Sequence, residues 1–325
     1  MQRRNTLPVR FILLSSAFIA SAPAHTADYP SKTIRLIVPF AAGGATDITS
    51  RNMAPRMAEA LGQQVLVDNR PGGNAIPGTA FVAKAPPDGY TLLMATIGFA
   101  ANPGLYRQKL PFDPVADFAP VSLVAIVPTI LAVHPSIPVR SVRDLVALAK
   151  ARPGALNFGS AGNGTINHLA GEMLKHVTGT SMTHVAYKGG SLSVTALISG
   201  EISMLFATAP TSLEFFRTGR LRPLAVSGSR RLPALPDVAP IGDTVPGFDV
   251  VEWQGIVLPA AAPKEVVAVL HREIVRALTD ANVRSRIQAL GADVVGGTPD
   301  EFAAHIRGEV AKWGKLAKET GLRAD

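Results

Sequence analysis

Thr33-Ile34-Arg35-Leu36-Ile37-Val38-Pro39-Phe40-Ala41-Ala42-Gly43-Gly44-Ala45-Thr46-Asp47 is the stretch on which the reading of the fold turns. Thr33 to Pro39 (TIRLIVP) has the β-branched, apolar character of a buried strand, and the glycine pair leads into a helix from about Asp47 to Leu61. Gly43 and Gly44 let the backbone turn tightly and come close to a bound group. The unpaired N–H groups and positive dipole end of the following helix favour an anion there. Phe40, Ala42, Gly43, Gly44 and Asp47 are therefore candidate ligand residues. The same residues also suit an ordinary strand-to-helix turn, with Asp47 capping the helix and pairing with Arg51 one turn on.

The pattern recurs further along. Phe158-Gly159-Ser160-Ala161-Gly162-Asn163-Gly164-Thr165 lies between a short strand and a helix running towards Val177, and exposes backbone donors and hydroxyls at another helix start. Ser160, Asn163, Gly164 and Thr165 join the candidates, and two such loops in two lobes can close on one anion. His168 near the start of that helix reads as a packed or capping histidine. A third loop, Tyr187-Lys188-Gly189-Gly190-Ser191, again follows a strand; Tyr187, Lys188 and Gly189 could face the same cleft, although a solvated surface lysine is the default for Lys188. Thr96 to Asn102 and Phe206 to Thr208 stand at C-terminal strand ends, where open α/β sheets bind ligands. Thr96, Asn102, Ala207 and Thr208 are candidates by that position alone. Asn69-Arg70-Pro71-Gly72-Gly73 reads as a structural turn.

Working outward, β-rich apolar runs alternate with segments of helical period, which predicts an α/β protein with mostly parallel sheets flanked by helices. Val121 to Val133 is almost continuously apolar and broken by Pro128, as a crossing between lobes would be, and Val250 to Leu258 reads as the return crossing. The expected division is a first lobe over 28–126, a second over 127–252, and a return to the first over 253–325. Ser141 with Asp144 predicts a capped helix over Val142 to Ala151. Thr298-Pro299-Asp300-Glu301 opens a last long helix, for which packing on a lobe is the only evident role.

The first 27 residues carry a positive start (Arg3, Arg4, Arg10), an apolar run from Phe11 to Ala22 and small residues near Ala24 and Ala27. This is the pattern of a secretory signal peptide cut after Ala24 or Ala27, and the run is shorter than the roughly 18 to 20 residues that span a bilayer. Export to the periplasm is expected. Removal of the signal leaves 298 residues, comfortable for two lobes, and lowers the formal charge from +8 to +5. Lys and Arg are scattered with few aromatics among them, which argues against a nucleic-acid surface. The absence of cysteine excludes disulfides and thiolate metal sites, and His134, His168, His176 and His184 lack the close spacing of a zinc motif. Neither a metal nor a cofactor is expected, and the chain is expected to be a monomer.

Taken together, Tyr29-Pro30 with the first strand, Gly43-Gly44 with Asp47, Asn69 to Gly73, Pro87-Asp88-Gly89-Tyr90, Gly159-Ser160 to His168-Leu169 and Tyr187-Lys188-Gly189 resemble the Bug (TctC-type) family. These are the substrate-binding receptors of tripartite tricarboxylate transporters, and the resemblance runs through the whole sequence after the signal. It implies a type II periplasmic-binding-protein fold, two lobes joined by two crossing strands. It implies a small organic anion (a mono-, di- or tricarboxylate or an acidic amino acid), held by loop backbone and hydroxyl groups, partly through water, without an arginine clamp. It also implies the membrane subunits of such a transporter as partners, and no catalysis. Ser191-Leu192 departs from the family, where proline and alanine are frequent, and this touches helix geometry more than ligand contact.

Two enzyme readings compete. The first strand, glycine turn and Asp68 mimic a dinucleotide-binding unit and would suit an exported oxidoreductase, but Gly43-Gly44 is not G-x-G-x-x-G. A hydrolase nucleophile at Ser160 would need glycine two residues before it, where Phe158 stands.

Overall fold

The computed structural model of the chain describes residues 29–106, 108 and 110–324, so the expected signal peptide lies outside the described residues. β1 (Ile34–Val38) is buried at all but Arg35. From it the chain passes through α1 (Ala45–Leu61), β2 (Val65–Asn69), α2 (Ile76–Ala83), β3 (Thr91–Thr96) and α3 (Ile97–Leu105) into β4 (Phe118–Val127). Pro128 has no N–H to give to a ladder and ends the run. Beyond it, β5 (Thr129–Val133) belongs to a second sheet, followed by α4 (Val142–Ala151), β6 (Asn157–Ser160), α5 (Ile166–Thr178), β7 (Thr183–Ala186), α6 (Gly190–Ser199), β8 (Met204–Thr208), α7 (Ala209–Arg217) and β9 (Arg222–Val226). The chain returns through β10 (Glu252–Pro259), α8 (Lys264–Thr279), α9 (Ala281–Gln288), β11 (Asp293–Val294) and α10 (Pro299–Thr320). No helix among the described residues is long and apolar enough to cross a membrane.

The strand orders are β11-β4-β10-β3-β1-β2 in the first lobe and β7-β6-β8-β5-β9 in the second. One correction to the expected mostly parallel sheets follows. β1 pairs in parallel with β2 and β3, and β6 with β7 and β8, but β10, β11 and β5 pair antiparallel with their neighbours. Parallel pairs arise where a helix carries the chain back between strands, whereas the crossing strands run the other way, so both sheets are mixed.

Both crossings meet at one place. Glu252 on β10 pairs with Val127 on β4, and Ser227, buried beside them, accepts the Thr129 N–H at 2.9 Å through Oγ while its own N–H donates to the Thr129 carbonyl at 2.8 Å. Local signals place the remaining helices. Ser141 Oγ accepts the Asp144 N–H at 3.1 Å, and Thr298 with Glu301 forms a full capping box. In α8, Val266, Leu270, Ile274 and Leu278 repeat every fourth residue and are buried, while Val267 sits to the side.

α10 packs on α3 and β4 through Phe302 and Trp313, both fully buried; truncating either to alanine would cost about 3–5 kcal/mol. Gly255 makes this possible, because a Cβ there would lie 2.2 Å from the Phe302 ring. The tail also does more than pack on the first lobe. His176 on α5 approaches Glu319 on α10 at 3.3 Å, and Asn163 Nδ2 donates to the Ala324 carbonyl at 3.3 Å, so the C-terminal segment touches both lobes.

Candidate functional site

Between the lobes lies a cavity of about 270 Å3. The first lobe supplies Phe40, the start of α1 (Gly44 to Thr46), Asn74 and the start of α3 (Thr96 to Gly98). The second supplies Ala161, the starts of α5 (Gly164 to Asn167) and α6 (Gly190, Ser193, Val194), and the end of β8 with the start of α7 (Leu205, Ala207, Thr208, Thr211). Val127, Glu252 and Gln254 on the crossing strands form the base. Five helices thus begin at one cavity wall. None of the five is capped by its N-cap side chain; of the helices that start elsewhere, α4, α9 and α10 are capped by Ser141, Asp280 and Thr298, and α2 and α8 are not. At α3 the Ile97 N–H is taken by the Glu252 carboxylate, but at α1, α5, α6 and α7 first-turn N–H groups left without side-chain partners, at the positive ends of helix dipoles, suit a negative group. No Lys or Arg lines the cavity among the described residues.

The two glycine loops are braced from behind. Gly43, at φ +81°, donates its N–H to Asp47 Oδ2 at 2.9 Å, and Asp47 also accepts from Asn69 Nδ2 at 2.9 Å and from Arg51 Nε at 2.9 Å. Burial opposes ionisation of Asp47, but the bonds from Arg51, Gly43 and Asn69 outweigh it and hold the carboxyl below its ordinary range. Asn69 Nδ2 reaches the Phe40 carbonyl as well, at 3.1 Å. In the second loop Ser160 Oγ accepts the Gly162 N–H at 3.1 Å and lies 2.7 Å from His184 Nε2, and Thr165 Oγ1 donates to the Gly162 carbonyl at 2.7 Å. The Gly164 N–H donates to His168 Nδ1 at 3.0 Å, so His168 is neutral at that nitrogen. The rings of His168 and His184 stack with centroids 4.0 Å apart. Burial pushes His168 down to about 3 and His184 to about 4, with Lys175 adding to both and His184 to His168.

Of the residues singled out in the sequence, Phe40, Gly44, Thr96, Gly164, Thr165, Ala207 and Thr208 line the cavity. The others stand apart from its lining. Gly43 and Asp47 shape the first loop, Ala42 is exposed, and Asn102 braces Asn74. Ser160 is fully buried and engaged with Gly162 and His184, Asn163 turns towards Ala324, Tyr187 donates to Glu201 at 2.8 Å, Lys188 is exposed, and Gly189 precedes the lining residue Gly190.

Sequence reasoning passed over Asn74, Asn167, Ser193, Glu252 and Gln254. A signal existed for the last pair, since Glu252 and Gln254 are polar residues at alternate positions of an otherwise apolar strand, and so share one face. Asn74 stands at φ +51° one residue beyond the turn read as structural. The dinucleotide reading fares poorly on geometry, because Asp68 is ion-paired through Oδ2 with Arg35 at 2.5 Å and with Arg70 at 3.2 Å and does not line the cavity.

A family model described as tripartite tricarboxylate transporter family receptor matches residues 49–322. Protein BugT of Bordetella pertussis is 34% identical over 327 residues, covering 99% of each chain. Among solved structures, R. palustris Rpa4515 with adipate is 35% identical with a TM-score of 0.81, covering 91% of this chain and 99% of that one. MatC (Rpa3494) from Rhodopseudomonas palustris with bound malate is 29% identical with a TM-score of 0.77, covering 89% and 99%. These matches lend no support to an oxidoreductase.

Proposed function

The chain belongs to the tripartite tricarboxylate transporter receptor family, and from that premise we propose that it captures a small organic carboxylate between its lobes and delivers it to the membrane subunits of such a transporter. The observation that carries this reading is the convergence of four uncapped helix starts, those of α1, α5, α6 and α7, from both lobes, on one cavity with no Lys or Arg among the described residues that line it. Charge-assisted hydrogen bonds from backbone N–H groups are roughly twice as strong as neutral ones, and each helix terminus adds about 0.3–1 kcal/mol, so several together favour an anion over a neutral ligand. The adipate and malate in the two R. palustris structures support a carboxylate. The charged start, apolar run and small residues of positions 1–27 support export to the periplasm.

Capture works by closure. An open form admits the anion, and only the closed form gives it donors from α1 and α5 at once, so ligand shifts the population towards closure. Purified protein lacking residues 1–27 is screened by thermal unfolding against mono-, di- and tricarboxylates. At a hundredfold excess over Kd a ligand stabilises by about 2.7 kcal/mol, which raises Tm by several degrees for a chain of this size. A full panel without any shift would remove the proposal.

A further inference from the structure

Among the described residues lining the cavity, Glu252 is the only charged side chain, and it is acidic. Its Oε1 accepts the Ile97 N–H at 3.0 Å and the Trp253 N–H at 3.1 Å, so the resident carboxyl already occupies the start of α3. No hydrogen bond among the described residues reaches its other oxygen. Gln254, two residues on and on the same face of β10, is 1% exposed, and its Oε1 is buried without a partner. That oxygen is sealed from the cavity, so the acceptor a bound molecule can reach at the base is the free oxygen of Glu252, with the Gln254 side chain packed beside it.

The opposite demand, for an anion, comes from the starts of α1, α5, α6 and α7. One site therefore presents donors on its walls and an acceptor at its base. We propose that Glu252 forms the acceptor end of the site and selects carboxylates bearing a hydrogen-bond-donating amino or hydroxyl group over the plain carboxylates of the same skeleton. This rests on the carboxylate reading above and names the substrate class within it. A bare methylene at the base would leave the free oxygen of Glu252 desolvated and unpaired, and a second carboxylate there would meet the like charge of Glu252.

The surroundings of Glu252 define how pH acts on this end. Ile97 and Gly98 of α3 and Val127 of β4 bring no titratable group. On α10, Glu309 is paired with Lys312 and accepts from both tryptophan indoles, with His305 against Trp253 and Asp249 on the far side of Lys312. Burial raises the Glu252 carboxyl to about 7, with Glu309 adding a smaller push upward, while the Ile97 and Trp253 N–H groups pull it down. An amino group needs Glu252 ionised, so its affinity rises with pH through this range.

Calorimetric titrations at pH 8 with three matched series test the proposal: propionate, lactate and alanine; succinate, malate and aspartate; glutarate, 2-hydroxyglutarate and glutamate. In the skeleton that fits, the amino or hydroxy compound binds at least tenfold tighter than the plain acid, and Glu252→Gln, which keeps the shape but turns an amide donor into the cavity, collapses that ratio towards one. An amino ligand gains about tenfold between pH 6 and pH 8, as an acceptor of pKa about 7 ionises. Plain acids that bind as tightly as their substituted partners, or a preference that survives Glu252→Gln, overturn it. An affinity that falls as pH rises also does so, by making Glu252 a protonated donor to a second carboxylate. Binding by none of the nine compounds overturns this inference, whereas the carboxylate reading falls only if the wider panel above also gives no shift.

Discussion

Gly164 of the second lobe and Asn74 of the first meet so closely across the cleft that a Cβ on Gly164 would lie 2.3 Å from Asn74 Nδ2. Asn74 is held there by Asn102, whose Oδ1 accepts from Asn74 Nδ2 at 2.7 Å and whose Nδ2 donates to the Asn74 carbonyl at 3.0 Å. The lobes therefore touch at this point, and the contact depends on the missing side chain. Gly164→Ala places a methyl in that gap at φ +73°, where an L-residue is also strained by roughly 1 kcal/mol or more. We expect it to weaken ligand at least tenfold and to abolish ligand-induced compaction in small-angle scattering. Adding Asn74→Ala opens the space again and should restore part of the compaction.

Asp47→Ala removes the acceptor for the Gly43 N–H, Arg51 and Asn69 together. Loss of a buried charged acceptor costs about 1–3 kcal/mol or more in stability, and the loosened loop no longer pre-sets the start of α1. The variant should melt at lower temperature and show a smaller carboxylate-induced shift, although Asp47 does not line the cavity. An unchanged shift would show that the brace is irrelevant to binding.

The stacked pair His168 and His184 gives stability a defined acid dependence. Both are neutral in the folded protein, at about 3 and about 4, whereas an unfolded histidine titrates near 6.5, so their contribution is complete above about 6.5 and is lost as pH falls towards 4 and then 3. Glu252 acts in the other sense: its raised carboxyl contributes below about 4.5, and that contribution is lost as pH rises through about 7. Melting curves between pH 4 and 7 for the parent and for His168→Gln isolate the histidine part. The difference in Tm between the two should shrink by several degrees on acidification, and a constant difference would contradict the assignment.

How much of this was legible depended on whether the cause was local. The strand Ile34–Val38, the capped starts at Ser141 and Thr298, and the break at Pro128 follow from neighbouring residues, and so did the two glycine loops. The base of the cavity did not. Glu252 and Gln254 reach it only because β10 returns antiparallel between β3 and β4, a pairing set by residues more than a hundred positions away. Asn163 and Lys188 looked equivalent to their loop neighbours, yet one turns to Ala324 and the other to solvent, since side-chain direction in a loop is fixed by what packs behind it. Asn74 was hidden by a positive φ that its residue type does not announce.

The central claim is that one carboxylate takes backbone donors from both lobes at the same time. A crystal structure of the protein with its tightest-binding carboxylate tests this most directly. The account predicts carboxylate oxygens within about 3 Å of backbone nitrogens, or of a single bridging water, both at Gly44 to Thr46 and at Gly164 to Asn167. A carboxylate bound by one lobe alone, or outside this cavity, would contradict it.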